Sequence, residues 1–168
     1  MTATTIRLAR PEELAAVGAL TVTAYQAERL APEAYSVILA DAENRARHTD
    51  VIVAVDDQNR LLGAVALVLN GGPYAELALA EDEAEFRMLA VGLEARGRGV
   101  GTALIQECLT RARAAGKRRM VLSTGDNMTA AHRRYHALGF RRAPDLDWSP
   151  MPEERLLAYV LDLSDYAD

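Results

Sequence analysis

The chain has 168 residues, 50% of them hydrophobic and 26% charged, with a net charge of -5. That length and composition suit one soluble domain with a sizeable core. They exclude a disulfide scaffold, since one cysteine cannot bridge within the chain, and a helical membrane protein, since the longest apolar run, Leu61 to Leu69, is far too short to span a bilayer.

In chain order, Thr5 to Leu8 reads as a short strand, and Pro11-Glu12-Glu13 opens a helix carrying Leu14, Val17, Leu20 and Val22. Pro32 opens a second helix, with Tyr35, Ile38 and Leu39, that ends in the polar run Asp41 to His48. Val51 to Val55 and Leu61 to Leu69 form a hairpin around the polar turn Asp56 to Asn59. Gly71-Gly72-Pro73 breaks the chain, and Glu85 to Val91 is the next strand. A helix starts at Val100, with Leu104, Ile105, Cys108 and Leu109 on one stripe, and Gly116 caps it. Met120 to Leu122 is a strand, Asp126-Asn127 starts a helix that Gly139 stops, and Phe140 begins another strand. Pro144 to Pro152 reads as a loop and Leu156 to Leu163 as the last strand. No linker, repeat or second domain is apparent, so residues 1–168 are expected to form one domain.

Charge is unevenly spread. Residues 96 to 142 carry +9 and the remainder -14. The basic half shows no helix-turn-helix or RNP-like pattern and few aromatics, which argues against nucleic acid and for an anionic cofactor. The acidic remainder suits a cationic acceptor.

The basic half begins at Arg96-Gly97-Arg98-Gly99-Val100-Gly101-Thr102, between a strand and a helix. Three glycines at alternate positions strip side chains from the turn, so successive backbone N–H groups can close around an anion. The helix that follows aims its unpaired N–H groups and positive dipole end at the same place. The turn is built to hold phosphates. It is no P-loop, having no lysine, and no dinucleotide fingerprint, because Thr102 stands where a third glycine belongs.

What fits is R-x-x-G-x-G, read as Arg96, Gly99 and Gly101 after the strand E-F-R-M-L-A-V. That combination resembles the pyrophosphate-binding motif of the GCN5-related N-acetyltransferase (GNAT) superfamily. A second stretch, Tyr135-His136-Ala137-Leu138-Gly139-Phe140 at the end of a helix, resembles the superfamily's other signature, with Ala131 also matching. Two departures stand out. Asn often lies seven residues before the tyrosine, but that position is Met128, with Asn127 one residue early; and the usually apolar position before the tyrosine is Arg134.

The resemblance implies an α/β (mixed α+β) fold with a central, mostly antiparallel mixed sheet flanked by helices, in the order β-α-α-β-β-β-α-β-α-β-β. It implies an acyltransferase that moves an acetyl group directly from acetyl-CoA to a primary amine, the alternative being a non-catalytic acyl-CoA-binding module of the same fold. It assigns backbone groups of Leu89, Ala90 and Val91 to the pantetheine arm and the oxyanion, and residues Arg96 to Thr102 to the diphosphate. Asn127 is the displaced candidate for a further cofactor contact. Tyr135 is the implied acid for the departing thiolate. Glu85, on the same strand, is the candidate base, acting through water. The implied acceptor is a small-molecule or peptide amine, with no nucleic acid, membrane or metal, and the expected location is the cytoplasm. Many relatives pair as homodimers, and nothing in the sequence decides that here.

Three other groups have side chains capable of chemistry. Cys108 falls on an apolar stripe, which favours packing over nucleophilic chemistry. His132 and His136 have metal-ligand spacing but no third ligand. Trp148 and Tyr25 are read as core residues before acceptor-pocket residues.

Overall fold

The structure is a computed structural model that describes residues 3–28 and 32–166; the outermost residues of the expected domain, 1–2 and 167–168, lie outside the described residues. Two compact units interleave along the chain: Met1–Val68 with Phe86–Cys108, and Leu69–Glu85 with Leu109–Asp168.

The first unit holds β1 (Thr5–Leu8), α1 (Leu14–Ala27), α2 (Ser36–Ala40), α3 (Ala42–His48), β2 (Asp50–Val55) and β3 (Leu61–Val68). It also takes β4 (Glu83–Val91) from Phe86 onward and the first part of α4 (Val100–Ala114). β2 and β3 are valine-rich and buried along nearly their whole length, as strands covered on both faces must be. β2 pairs antiparallel with β1, from Thr5↔Val55 to Leu8↔Ile52, and with β3, from Asp50↔Leu67 to Val55↔Leu61. Val51, Val53 and Val55 meet Val17, Ala42 and Ala64 in one core cluster. α1 lies against α2 at Gly18, where an added Cβ would sit 2.1 Å from the Ala40 carbonyl oxygen.

The second unit contains the start of β4, the end of α4, β5 (Arg119–Gly125), α5 (Thr129–Ala137), β6 (Arg141–Arg142), β7 (Trp148–Met151) and β8 (Glu154–Asp162). Glu83, Ala84 and Glu85 run parallel to Arg119, Met120 and Val121, while β8 is antiparallel to β5, β6 and β7. Strand neighbours run β1-β2-β3-β4 and β4-β5-β8-β6, with β7 also on β8, so the sheet is mixed and mostly antiparallel with helices flanking it.

The register sorts the second unit's side chains onto two faces. One carries Glu85, Val121, Val160, Ser123, Ala158, Gly125, Leu156 and Trp148. Val121, Ala158 and Val160 are buried there with Ala78 and Ala143, and Leu77 and Leu146 pack against them. The other face carries Leu122, Tyr159, Thr124 and Leu157, and Tyr159 meets the rings of His132, Tyr135 and His136 from α5.

Four expectations change in detail. The helix expected from Pro32 to His48 is two helices, because the Asp41 carboxylate accepts from the Asn44 N–H at 3.0 Å and caps a fresh start. α5 begins at Thr129, leaving Asp126 and Asn127 in the turn before it. The strand expected at Phe140 is only Arg141–Arg142. The loop expected from Pro144 to Pro152 contains β7, which is pinned by Asp147: its carboxylate accepts from the Ala158 N–H of β8 at 2.8 Å and twice from Arg142 at 2.8 Å. Among the described residues, no helix is long and apolar enough to cross a membrane.

Candidate active site

In the first unit, β4 approaches the glycine turn with its backbone disturbed. Met88 stands at φ 57° inside the strand, in the left-handed region that a bulky side chain rarely adopts. Such a residue interrupts the regular ladder and re-aims the backbone that follows, here Leu89, Ala90 and Val91. Ala90 is buried, with Leu89 and Val91 half-buried. The chain leaves β4 through Gly92, whose N–H donates to the Leu62 carbonyl at 2.8 Å, and through a single 3-10 turn, Leu93–Ala95.

The turn itself matches its sequence logic. Gly97 (φ 76°) and Gly99 (φ 79°) are both left-handed, and an added Cβ at either would meet no atom within 4 Å. The glycines there serve backbone conformation and leave a bare, open cradle, which is what an anion approaching peptide N–H groups needs. α4 starts at once: the Ala103 N–H bonds the Gly99 carbonyl at 3.0 Å, so Val100, Gly101 and Thr102 are the first-turn residues whose N–H groups have no partner within the helix. Arg98 is exposed. Arg96 donates to Glu28 Oε1 at the end of α1, an ion pair that tethers the turn on one side.

One residue that the sequence did not single out holds this geometry. Gly63 of β3 lies where an added Cβ would be 2.9 Å from the Ala90 carbonyl oxygen, 3.0 Å from Val100 Cγ1 and 3.1 Å from Leu104 Cδ1. Only the missing side chain lets β4 and the start of α4 come this close.

In the second unit, Tyr135 is 4% exposed and sits among Phe140 and Tyr159, with ring centroids at 5.9 and 5.7 Å. Burial pushes its pKa up to about 12; the charge of Arg134 pulls the other way and Tyr159 adds to the rise. The phenol is therefore a neutral donor at physiological pH.

The Glu85 carboxyl is wholly buried. Its Oε1 accepts from the backbone N–H groups of Glu76, Leu77 and Ala78 at 2.8, 2.9 and 3.2 Å, so it anchors the segment that covers Val121 and Ala158. At the end of β5, Met128 Sδ accepts from the Gly125 N–H at 3.3 Å and the Thr124 hydroxyl at 3.4 Å, while His132 donates from Nε2 to the Gly125 carbonyl at 2.9 Å. Met128 thus fills the position that the family gives to Asn by bonding locally. Asn127 is exposed, with its Oδ1 beside Gly125.

Cys108 is fully buried on α4. His132 bonds a backbone carbonyl, and among the described residues no cluster of His, Cys, Asp or Glu is arranged to hold a metal ion.

In the first unit, a strand with a left-handed Met88 runs into a bare-amide turn at a helix N-terminus, an arrangement suited to holding phosphate. Residues 14–140 match the model of the acetyltransferase (GNAT) family, and the chain belongs to that family. An uncharacterized N-acetyltransferase of Schizosaccharomyces pombe is 31% identical over 105 residues, which are 62% of this chain and 60% of that protein. Among solved structures, the yncA protein of Salmonella typhimurium with its cofactor acetyl-CoA is 22% identical, covers 99% of this chain and 97% of its own, and superposes with a TM-score of 0.72. A GCN5-related N-acetyltransferase from Kribbella flavida is 24% identical over 95% of this chain and 98% of its own, also with a TM-score of 0.72.

Proposed function

We propose that this enzyme transfers the acetyl group of acetyl-CoA directly to a primary amine of a small molecule or peptide in the cytoplasm, without a covalent acyl-enzyme. The observation that carries the reading is the turn Arg96–Thr102: left-handed Gly97 and Gly99 open the backbone, and the unpaired N–H groups of Val100, Gly101 and Thr102 open α4. These amides, with Arg98, hold the diphosphate. Backbone groups of Leu89, Ala90 and Val91 take the pantetheine arm, and an N–H of this strand supports the oxyanion. Tyr135, buried and neutral, donates to the departing sulfur. Glu85 keeps the role of base only through water, because its carboxyl is wholly buried and its Oε1 already accepts three N–H groups. Cys108 is too deeply packed to carry an acyl group.

The test is thiol release from acetyl-CoA against a panel of amines, with Gly99→Val beside the wild type. At φ 79° a β-branched side chain is strained although space is available, so the turn loses its shape. The variant should fold and lose acetyl-CoA binding. Unchanged affinity would remove the turn from the binding site, and bound acetyl-CoA with no thiol release from any amine would leave a binding module in place of a transferase.

A further inference from the structure

β6 is only two residues long, and where it stops the second unit leaves an opening. Arg141 and Arg142 pair with Val160 and Tyr159, so the edge of β8 at Leu161 and Asp162 has no strand beside it. The end of α5 stands on one side of that edge, and the turn Leu163–Asp165 with Tyr166 on the other. Between them lies an open-mouthed cavity of about 370 Å³, lined by Leu138, Arg141, Leu161, Asp162, Asp165 and Tyr166 among others. That volume suits a small metabolite, at the low end of the range for ligand pockets.

Both walls are held in place. α5 closes with the Phe140 N–H on the Tyr135 carbonyl at 3.0 Å and the Gly139 N–H on the His136 carbonyl at 3.1 Å. Gly139, at φ 97°, then turns the chain against β8, where an added Cβ would stand 3.6 Å from Leu161 Cδ1. On the far side Leu163 is buried, and Arg113 donates to the Tyr166 carbonyl at 2.7 Å.

The charges of the cavity offer both signs. Arg141 Nη2 and Asp162 Oδ2 stand 3.7 Å apart, beyond hydrogen-bond distance, with 64% and 43% of their side chains exposed. Asp165 is exposed, and no residue among those described bonds its carboxylate. The negative end of the α5 dipole opens on the same space. A lone cation would meet Arg141, and a lone anion would meet two carboxylates. A molecule with both charges a few bonds apart avoids either conflict. Its carboxylate fits the fork of Arg141, and its ammonium takes Asp162 and Asp165.

We propose that this cavity binds a free α-amino acid with an aliphatic side chain, which lies against Leu138 and Leu161. None of the residues named is among those proposed for acetyl transfer, so binding here is independent of the transferase reading.

The probe is L-leucine, set beside 4-methylpentanoate, which lacks the ammonium, and 3-methylbutylamine, which lacks the carboxylate. Titrated into isotope-labelled protein, L-leucine should shift the backbone amide resonances of Leu138, Gly139, Leu161 and Asp162 in a saturable way. Each analogue should bind roughly tenfold more weakly, the worth of one partly screened charged hydrogen bond. Arg141→Gln should weaken L-leucine by about the same factor and leave 3-methylbutylamine no weaker. Asp162→Asn should weaken L-leucine and leave 4-methylpentanoate no weaker. Both side chains are largely exposed, so both variants should fold, with a melting curve as the check. No saturable shift at these four amides up to roughly 10 mM L-leucine overturns the site. So does an amine that binds as tightly as the amino acid, or a folded Arg141→Gln variant of unchanged affinity. L-leucine that shifts only resonances of β4 or of the turn Arg96–Thr102 binds as an acceptor, and this too overturns the cavity.

Discussion

Replacing Tyr135 by Phe isolates the chemistry of one hydroxyl. The substituted ring keeps its packing against Phe140 and Tyr159, at 5.9 and 5.7 Å between centroids, so the fold should survive. The size of the kinetic effect follows from the pKa. Burial holds the phenol near 12, whereas a thiol leaving group ionises near about 8.5. Complete proton transfer from the phenol to the thiolate is therefore uphill by roughly 5 kcal/mol. In the role proposed for it, Tyr135 would act chiefly as a hydrogen-bond donor to a sulfur gaining negative charge, and a bond to a charged group contributes about 1.5–3 kcal/mol. We expect kcat to fall by roughly 10- to 150-fold, with the KM for acetyl-CoA nearly unchanged. Steady-state thiol release, with a melting curve as the control for folding, measures both. The pH dependence gives an independent check. A raised pKa keeps the phenol neutral through pH 10, so loss of rate from its ionisation should begin only as pH approaches 12. A kcat decrease of less than about threefold would refute the role. A descending limb near pH 9 that vanishes in the variant would refute the burial argument.

Two further predictions concern how the site is held. Gly63→Ala forces a methyl group to within 2.9 Å of the Ala90 carbonyl and against Val100 and Leu104. It should cost about 1–3 kcal/mol of stability and raise the KM for acetyl-CoA, and an unchanged melting temperature and KM would show that β3 does not press on the turn. At the other end of the first unit, Arg7 donates twice to Glu13, at 2.8 and 2.9 Å, and holds its pKa at about 2. A carboxylate with a depressed folded pKa stabilises the protein above its unfolded value near 4.5, and that contribution is lost as pH falls toward 2. Glu13→Gln should therefore flatten the fall in unfolding free energy over that interval, by no more than about 3 kcal/mol before solvent screening reduces it, which melting curves taken across that pH range would read. Parallel acid profiles for variant and wild type would contradict this.

Much of this protein was legible in the residues alone, because the relevant forces act over a few positions. The glycine turn announces itself through backbone freedom and helix polarity, and both are local properties of Arg96 to Thr102. The stripe of Leu104, Ile105, Cys108 and Leu109 marked Cys108 as core, and it is fully buried. The family resemblance rested on two short signatures and brought the strand order with it. Tertiary structure alone decided the rest. Whether Gly63 is a weak point in a strand or the space that lets Ala90 approach depends on a neighbour far along the chain. Pro144 to Pro152 looked like loop because β7 has little strand propensity of its own; it is a strand since Asp147 reaches Ala158 and Arg142, which no local pattern encodes. Glu85 was legible only as a candidate base on its strand; that its carboxyl accepts from the N–H groups of residues 76–78 is decided by the fold. Met88 carries no mark of its left-handed backbone, because that conformation is imposed by the surrounding strands. Local sequence sets propensity and backbone freedom, whereas burial, close approach and the choice of hydrogen-bond partner are set by residues that meet only once the chain has folded.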